Sequence, residues 1–361
     1  MRSSGSSPSP CGVGRQKRTS GRRLHFVGTM PQFGTAAEAF AWQVGELGPR
    51  IRRLSGGETG PRLSWFVPLV KDLKNNPKIR TLREGEWTAY DDVDRLAVRR
   101  GARLTREDIP LRLAEWAEEE LAILEDAGTP ATRERPLQIG VPSYLDLALF
   151  ILGPAGALRH SAAFLDAVCT EVDRVVSLAG DRVVLQVETP AALIAVASAP
   201  APLRAAVARI LGRLLLRQIR RAEDGSRLGL HLCLGDMGHE ARVRLKSADP
   251  PVRLTVALAR RWPTGPTLEF VHLPLCGGEH PPSTDPAFYA PLRRLRSLPP
   301  PVTLIAGIAH ENQSPEQQLM VRGMVESAVD RQVDIATACG LGRRTGHRAQ
   351  QAVDRMLALL N

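Results

Sequence analysis

The stretch "RVVLQVE" (182–188) reads as a strand buried on both faces, with three valines and a leucine between an Arg and a Glu. It is preceded by "FLDAVCTEVDRVVSLAG" (164–180) and followed by "LRAAVARILGRLLLRQIRRA" (203–222), both with helical periodicity. A doubly buried strand between two helices is the repeating unit of a parallel sheet. Further runs of the same kind are "LHFVGT" (24–29), "RIRRLSGGE" (50–58), "LQIGV" (137–141) and "LGLHLCLGD" (228–236). "TLEFVHLP" (267–274), "VTLIAGIAH" (302–310) and "VDIATACG" (333–340) bring the set to eight. Helical patterns at 315–330 and 349–360 complete the alternation. Eight βα units predict a single-domain (β/α)8 TIM barrel over residues 24–361. Its largest insertion is expected at about 59–136 and includes the acidic amphipathic segment "REDIPLRLAEWAEEELAILEDAG".

The formal net charge of +10 points at first to nucleic acid, but its distribution argues otherwise. Residues 1–23 hold Arg2, Arg15, Lys17, Arg18, Arg22 and Arg23 and no acid; without these six the remainder stands at +10 − 6 = +4. This Ser/Gly/Pro-rich basic leader is expected to be disordered, and it lacks the apolar core of a secretory signal. The basic helix "LGRLLLRQIRR" reads as a solvated barrel face, since aromatic residues make up only 4% of the chain and do not interleave with the basic ones. Neither nucleic acid nor a membrane is expected as a partner. Five cysteines, odd in number and widely spread, suit a reduced cytoplasmic compartment.

The ends of the strands carry the chemistry. Thr29, Glu58, Glu188, His231 with Cys233, His272, His310 and Cys339 all fall at C-terminal ends, the face where such barrels build active sites. His231 and Cys233 are two apart, so in an extended chain they share a face while Leu230, Leu232 and Leu234 take the other. Imidazole and thiolate suit Zn2+, and Cys339, ending the eighth strand, is the natural third donor. The alternative is a pair of small residues buried in an apolar strand. Glu58 in "SGGETG" could equally close a turn, and His310 could be a barrel-end histidine bonded to a carbonyl. "GLGRR" after Cys339 lacks the lysine and glycine spacing of a phosphate loop; Arg343 and Arg344 read as loop or substrate-contact residues.

In order along the chain, "VGT" (27–29), "GGETG" (56–60), "QVETPAAL" (186–193), "HLC" (231–233) and "ACGLGRR" (338–344) resemble the C-terminal catalytic barrel of cobalamin-independent methionine synthases. The likeness is greatest to the single-barrel relatives in the superfamily shared with uroporphyrinogen decarboxylase, and it runs from about Leu24 to the C-terminus. The resemblance implies a methyltransferase passing a methyl group to a zinc-bound thiol, most plausibly homocysteine, to give methionine. It implies His231, Cys233 and Cys339 as zinc ligands, Glu58 and Glu188 as partners of the substrate amino group, and Gly28 and Thr29 as a cradle for its carboxylate. His310 matches a family histidine that transfers a proton to the leaving group. The family's fourth ligand, a glutamate ending strand six, has no clear counterpart here. His272 is the first candidate to replace it, with Glu269 and Cys276 behind. Asp236 and His239 are expected to orient ligands. The full-length synthases carry a further N-terminal barrel that helps bind folate, and nothing of that size precedes Leu24; the methyl donor is left open among a folate, a corrinoid protein and another methyl compound. Competing readings are an alkyl transferase or lyase acting on another thiol, and a non-catalytic zinc- or corrinoid-binding barrel.

Overall fold

The computed structural model describes residues 21–64 and 66–361, so the expectation of disorder for 1–20 lies outside the described residues. Among the described residues eight strands are formed: β1 (Ile79–Arg83), β2 (Arg95–Val98), β3 (Leu137–Pro142), β4 (Val183–Glu188), β5 (Arg227–His231), β6 (Thr267–Pro274), β7 (Thr303–Gly307) and β8 (Asp334–Ala336). β3 to β8 make one six-stranded parallel sheet in sequence order, while β1 and β2 form a separate antiparallel pair. Helices follow the sheet strands as expected, at Tyr144–Ala179, Pro190–Ser198, Arg204–Ile219, Asp249–Ala259, Pro315–Val329 and Gly346–Ala358. The result is an α/β fold with a barrel-like course.

Both faces of the sheet are buried, which explains the doubly apolar strands. Val184, Phe270, Ile305 and Ala336 pack together as one small cluster. Their chain neighbours Leu185, Val271, Leu304 and Ile335 join the larger core that includes the helices. Gly229 is required opposite Phe270, because a Cβ there would lie 2.0 Å from the phenyl ring.

Two of the expected strands differ from the reading above. The segments 24–29 and 50–58 contribute only isolated parallel bridges, Leu24 to Ile335, Leu24 to Ile51 and Leu54 to Leu137. The reason is visible in their hydrogen bonds. The Gln138 amide donates to the carbonyl of Phe26 at 2.7 Å, and the Gln186 amide donates to Val27 at 2.6 Å, so side chains replace a backbone ladder. Gln186 in turn accepts from His25 Nε2 at 3.1 Å, since its own NH2 is engaged. The second segment ends in a tight turn, with Gly57 at φ 74° and Glu58 at φ 44°. Arg22 and Arg23, read above as the end of the leader, are tied to the fold. Arg22 pairs with Glu326 at 2.8 Å, and the Arg23 backbone bonds to Asp334 and to Ile335.

The insertion holds a helix (Phe66–Lys74), the β1–β2 hairpin and a second helix, Leu113–Ala127, which begins later than the acidic stretch. Asp94, buried, binds the hairpin together by accepting from Lys74 at 2.7 Å and from Trp87 Nε1 at 2.9 Å. Glu120 reaches from the second helix to Arg62 at 2.5 Å, beneath the Glu58 turn. A Cβ on Gly56 would collide with the Glu120 carboxylate. The helix Tyr144–Ala179 is long and apolar enough by length and composition to cross a membrane. It is broken at Gly153 (φ 67°) before Pro154, and Leu147, Ile151, Phe164, Val168 and Val172 are buried in the core.

Replacing Gln186 with Leu should therefore cost about 1–3 kcal/mol of stability, because the Val27 carbonyl and His25 lose their buried partner. Urea denaturation reads this directly, and an unchanged midpoint would refute the role given to the amide.

Candidate metal and substrate site

Parallel register brings the strand ends to one rim. Glu188 of β4 is the register partner of His231 on β5, and His231 is the partner of His272 on β6. The strand ends at His231, but the chain continues through Leu232 to Cys233 so that imidazole and thiol still face each other. Cys339 arrives from beyond β8. The donor atoms of His231, Cys233 and Cys339 lie within 4.8 Å of one another, and the group is buried or nearly so. Cys233 Sγ is 3.6 Å from Cys339 Sγ, far from the roughly 2.05 Å of a disulfide. Cys339 Sγ is 3.8 Å from His231 Nε2. A tetrahedral zinc ion with ordinary Zn–S and Zn–N bonds needs S···S of about 3.8 Å and S···N of about 3.6 Å. The three donors thus fit a metal of that preference, with a fourth position free for another ligand.

The electrostatics say the same. Packing against Cys233 and burial push the Cys339 thiol well above its ordinary value. Burial, with His272 alongside, drives the His231 imidazole far down, so it is a neutral lone-pair donor. A thiol held protonated at Cys339 and a neutral imidazole at His231 stand beside the Cys233 sulfur, a donor set that a bound cation would convert to a thiolate site.

The expected fourth ligand is not supplied by the residues proposed for it. His272 lies behind His231, with Nδ1 2.7 Å from His231 Nδ1 and Nε2 2.9 Å from the Thr337 carbonyl oxygen. Both of its nitrogens are engaged away from the sulfurs, so this geometry does not bring His272 into the donor group expected of it. Glu269 sits near the start of β6, held by Arg227 at 2.5 Å and by Arg53 at 3.8 Å. Cys276 bonds the Gly307 carbonyl at 3.3 Å, and burial raises its thiol to about 12.

Beside the donors, Glu58 and Glu188 converge. Ideal Cβ atoms built on Gly140 would lie 3.2 Å from Glu188 Oε1 and 3.3 Å from Glu58 Oε1, so both carboxyls share the space above this one glycine. Thr29 donates its hydroxyl to Glu58 at 2.5 Å. Gly28 is fixed as glycine because a Cβ would meet Glu58 Oε1 at 2.7 Å. Burial is the first cause that raises both carboxyls, and the charge of Glu58 adds to it at Glu188, which is pushed up to about 8. No cation bonds either carboxyl directly among the described residues. The pair accordingly holds a proton near neutrality, at Glu188, that an ammonium group would displace.

His310 does not reach this space. Its ring is fully buried, Nε2 facing the Gly278 carbonyl at 2.9 Å and Nδ1 accepting from the Asn312 amide at 3.1 Å. In this arrangement both of its ring nitrogens face backbone groups and not the cavity. Glu311, next in sequence, is buried against Arg344 at 3.1 Å and Arg348 at 3.0 Å, and lies 3.7 Å from His239 Nε2. Asp236 is the acid that lines the cavity on this side, raised to about 7 by burial against the pull of Arg344 and Arg343.

A cavity of about 500 Å3 opens over the rim. Thr29, Glu58, Glu188, His231, Cys233 and Cys339 form its floor. Its walls come largely from residues the sequence reading missed, Phe66, Trp87 and Tyr90 of the insertion, Phe150, Arg95 and Arg242, together with Arg343, which that reading named as a loop or substrate-contact residue. Phe66 packs edge-on to Trp87 at 5.0 Å and to Phe150 at 6.2 Å. Tyr90 donates to the Glu240 carbonyl at 3.1 Å, accepts from the Met237 amide at 3.3 Å, and lies under Arg242 at 5.2 Å. Gly235, at φ 79°, leaves room for the Tyr90 hydroxyl, which a Cβ would strike at 2.1 Å. The available signal was the pair of aromatics in "EGEWTAYDD" (84–92), set in an otherwise polar loop.

The described chain is similar in fold to two solved structures. A B12-independent methionine synthase from Shewanella sp. W3-18-1, solved with selenomethionine, aligns with 94% of this chain and 97% of its own, at a TM-score of 0.61 and 12% identity. A methyltransferase from Methanosarcina mazei aligns over 94% of each chain at a TM-score of 0.50 and 10% identity. No protein-family model matches the sequence, and no curated protein does. The chain has the fold of B12-independent methionine synthase-like proteins, in agreement with the resemblance read from its motifs.

The carboxyl pair gives a pH test. A group whose folded pKa lies above its unfolded value contributes stability below the unfolded pKa and loses it as pH rises through the folded one. For Glu188 that window runs from 4.5 to about 8. In metal-free protein, wild type should lose several degrees more in Tm between about pH 5 and about pH 9 than Glu188→Gln does. Parallel curves would show that the pair is not strained by its shared charge.

Proposed function

We propose that this protein is a zinc-dependent methyltransferase that transfers a methyl group to the thiol of homocysteine. The observation that carries the reading is the triangle of His231, Cys233 and Cys339 standing beside two buried carboxyls with no cation bonded to them. The bridges through Leu24, Ile51 and Leu54 support a closed eight-membered barrel, with residues 24–361 as one domain and the hairpin insertion as its cap. A basic leader upstream of it belongs to the same reading, and free thiols at the site suit the reducing cytoplasm.

His231 through Nε2, with the sulfurs of Cys233 and Cys339, would hold the zinc ion. When bound there, zinc supplies the positive charge that keeps a substrate thiol deprotonated at neutral pH, the nucleophilic form in alkyl transfer. Glu58 and Glu188 receive the substrate ammonium, and the proton held at Glu188 leaves as it enters. Thr29 fixes Glu58, and Gly28 lets the backbone approach the substrate carboxylate. Asp236, on the cavity side and holding its proton near neutrality, is placed to serve the leaving group. The aromatic wall excludes water and accepts an apolar donor body, while Arg95, Arg242 and Arg343 favour anionic groups on it. A thiol without an amino group would leave the two carboxyls unpartnered, which ranks other thiols second.

Protein purified and loaded with zinc should bind about one ion per chain and form methionine from homocysteine with a suitable methyl donor. Cys233→Ser/Cys339→Ser should bind none and fall by at least 100-fold in rate. Zinc binding without any methyl transfer, across folate, corrinoid and simple methyl donors, would refute the enzymatic reading.

A further inference from the structure

His272 occupies a position that neither the ligand triangle nor the substrate pocket uses, yet it is wholly buried and held at both ring nitrogens. The direction of each hydrogen bond can be worked out from what the partners can do. The Thr337 carbonyl can only accept, so the contact at 2.9 Å requires a proton on His272 Nε2. No carboxylate bonds to the ring, and a neutral imidazole carries one N–H; Nδ1 of His272 is therefore a lone pair. The facing nitrogen 2.7 Å away, His231 Nδ1, must then be the donor. A neutral His231 protonated at Nδ1 has its lone pair on Nε2, the nitrogen 3.8 Å from Cys339 Sγ. Register keeps the arrangement in place, because His231 and His272 are partners in adjacent parallel strands with ring centroids 4.8 Å apart. Thr337 also donates its hydroxyl to the Cys339 carbonyl at 2.5 Å, so the far end of the chain of bonds fastens the loop that carries a thiol donor.

We propose that His272 is a positioning residue which, through the relay Thr337 carbonyl–His272–His231, fixes the tautomer and ring orientation that present His231 Nε2 as a metal donor. The proposal rests on the reading of His231 as a ligand. In metal sites the non-ligating nitrogen of a histidine is usually bonded to a carboxylate, a carbonyl or water. Here a second histidine takes that place, and the strand-six side chain works one step behind the donors. An imidazole acceptor is itself oriented by a backbone carbonyl, so the geometry is set by the sheet and does not depend on a mobile side chain.

The test compares wild type with His272→Leu, which removes the acceptor, and His272→Asn, whose side-chain oxygen occupies nearly the place of Nδ1. Zinc affinity is read by competition with a chromophoric chelator, and the His231 tautomer by 15N shifts of the imidazole in metal-free protein. Thermal denaturation of both variants shows that each is folded. The expected result is zinc binding weakened about 10–100-fold in His272→Leu and within about threefold of wild type in His272→Asn. His231 should be protonated at Nδ1 in wild type and a mixture of tautomers in His272→Leu. Unchanged affinity in His272→Leu would overturn the proposal while leaving the metal site standing. Equal, severe loss in both variants would make His272 a ligand and overturn it too. Failure of wild type itself to bind zinc would instead remove the reading on which the proposal rests.

Discussion

Register across three adjacent parallel strands is the constraint on which the site depends. Because Glu188, His231 and His272 are consecutive partners along the sheet, a carboxyl, a donor imidazole and a second imidazole stand side by side at one rim. A slip of one residue on β5 would turn His231 toward the helices and bring an aliphatic side chain into its place. The neighbouring layer below, where Phe270 fills the space above Gly229 and Gln186 ties down Val27, holds that register from inside the sheet. The chemistry at the rim is thus an extension of the packing beneath it.

The site is built from groups that are each unfavourable alone. Two thiols 3.6 Å apart and two carboxyls above one glycine are buried or half-buried, and among the described residues none has a cation bonded to it. Burial raises both carboxyls, so that Glu188 keeps near neutrality a proton it would lose in water, and the Cys339 thiol is held further from ionisation than a free one. That cost is a form of preorganisation, since a metal ion and an ammonium group can each relieve it at a fixed place. The insertion then supplies what the rim lacks, an apolar wall and guanidinium groups, and it is anchored by the buried Glu120–Arg62 pair below and by Tyr90 above.

The alternation of strands and helices, and the collection of polar residues at strand ends, were legible in the sequence because burial on two faces leaves a strong pattern. His231, Cys233, Cys339, Glu58 and Glu188 were found that way and do converge. The first two strands were legible only as apolar runs; their replacement by side-chain hydrogen bonds from Gln138 and Gln186 has no periodic signature. The hydrogen-bond partners of His272 and His310 were not legible for a related reason. Position at a strand end shows that a histidine is near the rim, but which nitrogen faces a carbonyl is decided by partners far away in sequence, Thr337 and Gly278. The cavity wall was missed because Trp87 and Tyr90 lie in a polar loop, where aromatics are isolated and carry no period.

The account's central claim is that one ligand bridges the donor triangle and the carboxyl pair. The most direct measurement is calorimetric titration of the zinc-loaded protein with homocysteine, with 4-mercaptobutyrate, which lacks the amino group, and with homoserine, which lacks the thiol. Homocysteine is predicted to bind at least tenfold more tightly than either analogue. Equal affinity for homocysteine and 4-mercaptobutyrate would show that Glu58 and Glu188 do not receive an ammonium group, and would contradict the account.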